Sequence, residues 1–241
     1  MSRIARLVLP DMPHHITQRG NRRLPTFFSS ADYEAYLELM AERCAAFGIA
    51  IWAYCLMPNH THLIAVPATE DGLARGIGDA HRRYSRQINA REGWRGFLWQ
   101  GRFSSCILDE THLLAATRYI ELNPVRAGLV DNPLDYPWSS ARAHHNGEDD
   151  VLVQVAPMLE RVKEKWARFL KAGLSNAECE RLRLHERTGR PIGNDSFLDR
   201  LEARLGTTVR PQPPGRKPLA RTPAAKARAA GSGSKSRRRK G

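Results

Sequence analysis

Leu56-Met57-Pro58-Asn59-His60-Thr61-His62-Leu63-Ile64-Ala65-Val66 is the stretch whose reading sets the fold, and Ala115-Ala116-Thr117-Arg118-Tyr119-Ile120-Glu121-Leu122-Asn123-Pro124 is its counterpart later in the chain. Residues two apart on a strand point to the same face, so His60 and His62 present two imidazoles side by side, half of a metal site. Positions i and i+4 of a helix share a face, so the Tyr119 hydroxyl and the Asn123 amide oxygen project together. Two histidines, a neutral oxygen ligand and a phenol are the parts of metal-assisted phosphoryl transfer to tyrosine.

Around this pair the elements fall in a simple order. His14 to Arg19 reads as a first strand, ended by the basic turn Gly20-Asn21-Arg22-Arg23. A helix from Ala31 to Phe47 carries Tyr33, Tyr36, Leu37, Met40 and Cys44 at helical spacing and stops at Gly48. Ile49 to Leu56 and His60 to Val66 are strands two and three, joined antiparallel through Met57-Pro58-Asn59. One helix after Thr69-Glu70-Asp71-Gly72 puts Leu73, Ile77, Ala80, Tyr84 and Ile88 on a single face. Phe103 to Leu108 is the fourth strand, Thr111 caps the tyrosine helix, and Pro124 ends it. This order predicts an α+β fold, a ferredoxin-like or RRM-like antiparallel sheet with packed helices.

We expect three regions: a catalytic domain over 1–150, a C-terminal helical region over 151–209 and a disordered basic tail over 210–241. Helices are expected over 157–172, 175–188 (Ser175 and Glu178 forming a capping box) and 196–205, capped by Ser196. Their arrangement is compatible with helix-turn-helix DNA binding and equally with plain packing. The net charge of +13 is concentrated in the tail, where eleven Lys/Arg and no Asp/Glu leave 27 basic against 25 acidic residues in 1–209. Within the body, His81 to Arg102 holds Arg82, Arg83, Arg86, Arg91, Arg95 and Arg102 against Glu92 alone, with Tyr84, Trp94, Phe97 and Trp99 interleaved. That composition suits single strands, whose phosphates meet arginines and whose bases stack on aromatic faces, but it also fits a solvated helix face beside core aromatics. Cys44, Cys55, Cys106 and Cys179 have no C-x-x-C spacing and are expected to be free thiols. No apolar run reaches 18 residues, so no membrane association and a cytoplasmic location are expected.

Met57-Pro58-Asn59-His60-Thr61-His62-Leu63, Tyr119 to Val130, the Gly20-Asn21-Arg22 turn and Trp99-Gln100-Gly101-Arg102-Phe103 together resemble the HUH single-tyrosine transposases, insertion-sequence transposase-like proteins. Within them the chain is most similar to the REP-associated tyrosine transposases. The resemblance covers roughly residues 3 to 145, and Thr188-Gly189-Arg190-Pro191-Ile192-Gly193 also looks like that subgroup's C-terminal portion. It implies that His60, His62 and Asn123 hold one divalent ion, Mg²⁺ or Mn²⁺, and that Tyr119 attacks a phosphate of hairpin-containing single-stranded DNA such as a REP-like repeat. A 5′-phosphotyrosine intermediate and rejoining would follow. Arg19, Asn21, Arg22, Arg83, Arg86, Gln100 and Arg102 are the candidate DNA contacts, and the protein is expected as a monomer or homodimer. The superfamily usually places a bulky hydrophobe between the histidines, where this chain has Thr61.

Two other readings compete. A histidine-based nucleotide hydrolase wants a further histidine at the alternating position, which is Ile64. A non-catalytic nucleic-acid-binding regulator on an RRM-like fold wants exposed aromatics on the central strands, where Ile64 and Val66 follow the histidines.

Overall fold

The structure, a computed structural model, describes residues 6–211; the tail expected to be disordered lies outside the described residues from position 212 onward. Strands β1 (His14–Arg19), β2 (Ile49–Met57), β3 (His60–Pro67) and β4 (Ser104–Ile107) form a four-stranded antiparallel sheet in the order β2-β3-β1-β4. This is the ferredoxin-like topology expected from the element order.

Period-2 alternation gives each strand two apolar faces, and each face has its own core. Helices α1 (Ser30–Ala46), α2 (Gly72–Arg75) and α3 (Ile77–Glu92) pack on the face bearing Ile16, Leu63 and Ala65. Helix α4 (Glu110–Glu121) covers the opposite face, which bears Ile64 and Cys106. In β2 the pairing jumps from Ile51↔Ala65 to Ala53↔Ile64, leaving Trp52 as a bulge. The extra residue reverses the parity, so Ile51 faces the first core and Ala53 and Cys55 the second.

The second face is completed by α5 (Asn123–Arg126), α6 (Ala141–Asn146), α7 (Ala156–Arg161), α8 (Trp166–Lys171) and α9 (Asn176–Thr188), whereas α10 (Asp195–Leu205) packs Phe197 and Leu201 on Leu9 and Ile107 in a separate small cluster. Met158, Trp166, Phe169 and Leu182 are buried with Tyr119 and Ile120 of α4 in one cluster, and Ile192 bridges Leu108 beside β4. Residues up to Arg210 form one compact unit.

Several local expectations are corrected. Asp109, not Thr111, caps α4, its carboxylate accepting from His112 N at 2.8 Å. Asn194, not Ser196, caps α10 by accepting from Phe197 N. The single helix expected after residue 72 breaks at Gly76, whose missing side chain admits Ile49 Cδ1 2.4 Å from where a Cβ would sit. The helix expected over 157–172 breaks at Val162 and Lys165, which adopt extended backbone. Pro124 does not end a helix: α4 stops at Glu121, and Pro124 occupies the first turn of α5, where its missing N–H costs nothing. All four cysteines are free and buried, and no described helix is long and apolar enough to cross a membrane.

Burial holds His14 down at about 4, and His15 and His81 at about 3, against 6.5 for a free imidazole. The unfolded chain therefore binds more protons below pH 6.5, and stability must fall as pH drops from 6.5 towards 4. Glu186, raised by burial to about 7, acts in the opposite direction but is one group against several. Chemical denaturation at pH 7.5 and 5.5 should show a loss of about 3 kcal/mol at the lower pH.

Candidate nucleophile and metal-binding site

The register between the two central strands fixes the site. Arg19 pairs with His60, Thr17 with His62 and His15 with Ile64, so all six side chains share the face covered by α4. Thr61 points the other way, fully buried, with its hydroxyl 3.5 Å from Tyr36 Oη beneath α1.

The turn before His60 sets its orientation. Asn59 Nδ2 donates to Arg23 C=O at 3.0 Å, which aims Asn59 Oδ1 at His60; His60 Nδ1–H donates to it at 2.6 Å. That hydrogen bond leaves Nε2 as the bare donor atom, and Nε2 lies 3.5 Å from the Asn123 amide. Gly20 is pressed against the same turn: its N–H donates to Asn59 C=O, and a Cβ there would lie 2.2 Å from Leu24 O. Desolvation lowers His60 to about 4 and holds His62 well below the usual imidazole value, with neighbouring His60, His15 and arginine charges adding to the shift at His62. Both imidazoles are neutral at pH 7, as ligands must be.

Tyr119 is 5% exposed and stands edge-on to His62, ring centroids 5.7 Å apart; His60 and His62 are 5.0 Å apart. Arg126 lies over the phenol ring, 3.8 Å from its centre, and donates to Asn123 Oδ1 at 3.2 Å. A hydrogen bond to the Tyr119 side chain raises the Arg183 guanidinium above its ordinary value, placing α9 against the phenol. The four residues His60, His62, Tyr119 and Asn123 thus come together. Asn123 reaches the site from the start of α5 across the Leu122 junction, rather than from one uninterrupted helix.

Their donor chemistry fits a divalent ion. Two neutral imidazoles border a cleft of about 310 Å³ open to solvent, and beside them stands an amide whose oxygen a half-turn about its last torsion brings to the His60 side, at the cost of its hydrogen bond from Arg126. Arg19, Gln100 and Arg102 line the cleft with His60 and His62, so three of the candidate DNA contacts gather at the site. Arg86 lies instead in an adjoining groove of about 830 Å³ with Arg82, Phe97 and Trp99, reached through Arg102, which borders both. Arg83 is not brought to either: it is held by Asp79 at 2.8 Å on the outer side of α3. Asn21 and Arg22 lie in the 3₁₀ turn after β1 and border neither cavity. Of the interleaved aromatics, Tyr84 and Trp99 are core, whereas Phe97 is 85% and Trp94 49% exposed.

Sequence reasoning missed His15, Arg126, Arg183, Glu186 and Arg187. His15 carried a usable signal, since it shares strand parity with Thr17 and Arg19. Glu186 and Arg187 reach the cleft from α9 and have no local pattern.

Behind the phenol, Glu121 is fully buried on α4 and accepts from Ser140 Oγ at 2.6 Å, His144 Nδ1 at 2.7 Å and Trp166 Nε1 at 2.7 Å. This ties the tyrosine helix to α6 and α8.

Residues 9–123, just under half of the chain, match the family described as "Transposase IS200 like". A curated relative from Haemophilus influenzae, "Putative REP-associated tyrosine transposase", is 29% identical over 110 residues, 41% of this chain and 62% of that protein. The match therefore spans less than two thirds of that relative's length. A solved structure described as "Structure of the REP associates tyrosine transposase bound to a REP hairpin" aligns with TM-score 0.50 and 22% identity, over 63% of this chain and 90% of that one. That likeness bears on the fold.

Removing the Glu121 carboxylate leaves three buried donors without their acceptor. Glu121→Ala should cost about 3 kcal/mol in urea unfolding, and Ser140→Ala, which removes one donor, about 1 kcal/mol.

Proposed function

We propose that the chain is a DNA strand transferase that cleaves and rejoins single-stranded, hairpin-bearing DNA, of the REP-like kind named for its relatives, through a tyrosine-linked intermediate. The observation that carries this reading is the approach of the Tyr119 ring to the His60-His62 pair on the floor of a cleft rimmed by arginines.

Tyr119 is the nucleophile: its oxygen attacks the scissile phosphorus in line, the phosphorus to 3′-oxygen bond breaks, and the DNA is left with a 5′-phosphotyrosine and a free 3′-hydroxyl. Reversal by a 3′-hydroxyl from another end rejoins the strand. His60, His62 and Asn123 would hold Mg²⁺ or Mn²⁺, which supplies Lewis-acid polarisation of the phosphate oxygen. Arg126 and Arg183 stabilise the phenolate as the proton departs, Arg126 from the ring face and Arg183 by its hydrogen bond. Arg19 and Arg102 take phosphates flanking the scissile one, and Gln100 adds a polar contact at the same rim. Phe97 and Arg86 extend the track along the adjoining groove, where an exposed ring is placed to stack on a base.

The test is incubation with 5′- and 3′-labelled hairpin DNAs and Mg²⁺ or Mn²⁺, resolved on denaturing gels. A covalent adduct retaining the DNA 5′ phosphate is expected; Tyr119→Phe should abolish it, and His60→Ala should reduce it at least about 100-fold. Binding without cleavage across metals and hairpins would leave a non-catalytic DNA-binding protein. Arg102→Ala should weaken single-strand binding with a salt slope reduced by about 1, measured by fluorescence anisotropy at several salt concentrations.

A further inference from the structure

On its Nδ1 side, His62 belongs to a different constellation from the one around Asn123. His15 Nε2 lies 3.0 Å from His62 Nδ1, and Glu186 Oε1, brought in by α9, lies 3.8 Å from the first and 3.7 Å from the second. We propose that His15 Nε2, His62 Nδ1 and Glu186 Oε1 form a second cation position, separate from that of His60 and Asn123 and suited to a transition metal such as Zn²⁺ or Co²⁺.

Three observations carry it. The atoms lie within 4.8 Å of one another. A triangle with edges of 3.0, 3.7 and 3.8 Å has a centre about 2.05 Å from each corner, the length of a Zn–N or Zn–O bond. Among the described residues Glu186 Oε1 is buried with no hydrogen-bond partner, so that oxygen is desolvated without the compensation that such groups require.

The choice of ion follows from the surroundings. Arg19, Arg126, Arg183 and Arg187 all act on Glu186 electrostatically, a field unfavourable to a weakly held hard cation. Two imidazoles and one carboxylate offset that field only for an ion that bonds strongly to nitrogen, which favours Zn²⁺ or Co²⁺ over Mg²⁺. A neutral imidazole has one bare nitrogen, so His62 serves one ion at a time. Occupancy on the Nδ1 side withdraws it from the His60 position; this consequence rests on the proposed function, whereas the site itself does not.

Cobalt(II) titration of the full chain, followed by visible absorption, reads the site directly. His60→Ala and Asn123→Ala should retain wild-type Co²⁺ affinity and spectrum, while Glu186→Gln and Glu186→Ala should weaken binding at least 10-fold with metal-free thermal melts no lower than wild type. If His60→Ala abolishes binding, or if the Glu186 variants bind as wild type does, the proposal is overturned. Formation of the DNA adduct in Mg²⁺ by Glu186→Gln reports on the proposed function separately, so the two can fail independently.

Discussion

Antiparallel pairing of β1 with β3 is the constraint on which the site depends. With Arg19 opposite His60 and Thr17 opposite His62, both histidines face α4, and a slip of one residue would turn them beneath α1 and α3. The pairing resists slipping because both strands are central, each hydrogen-bonded on two sides. It is pinned at its open end as well, where Gly20 N–H reaches Asn59 C=O and the Asn59 side chain holds Arg23. The same contacts that fix the register therefore fix the tautomer of His60. Fold specification and site preorganisation are one set of hydrogen bonds here.

That coupling explains why so much was legible in the chain. His60 and His62 are set by strand parity, Tyr119 by helix spacing, and the apolar stripe Leu73, Ile77, Ala80, Tyr84 and Ile88 is buried as its periodicity required. What escaped was decided by tertiary contact. Nothing local distinguishes Asp109 from Thr111 as a cap until Asp109 also accepts from Asn194 N at 3.0 Å, fastening the C-terminal segment to α4. The break between α7 and α8 has no glycine or proline; it lets Met158 and Trp166 both enter the second core and brings the Trp166 indole to Glu121. His15 and Glu186 are 171 residues apart, so their meeting at His62 is a property of the packed molecule alone.

The residues after 150 consequently take part in the site. Glu121 anchors the Tyr119 helix from behind through α6 and α8, while α9 brings Glu186 and Arg187 to the cleft and Arg183 to the Tyr119 side chain. A buried carboxylate with three donors is a costly way to join helices unless their relative position matters, because apolar packing at the same place is often as stable. Here the joined element carries the phenol, and a displacement of about 1 Å is enough to spoil an in-line attack. The attack proposed for Tyr119 would give a reason for the network that stability alone does not.

Charge is arranged on the same principle, by place rather than by total. Residues 1–209 are close to neutral, yet Arg19, Arg102 and Arg187 line one cleft, and Arg126 and Arg183 stand against the Tyr119 side chain. Elsewhere the cations are spent on structure: Arg83 and Arg82 on Asp79, and Arg91 on the Asp32 carboxylate that caps α1. A cleft of neutral imidazoles with a positive rim attracts a polyanion while leaving nitrogen lone pairs available to metal, two demands that protonated histidines would defeat together. Burial is what reconciles them, since it keeps His60 and His62 uncharged beside arginines that cannot lose their protons. The sheet's depth, rather than any single hydrogen bond, therefore makes a basic cleft compatible with cation binding.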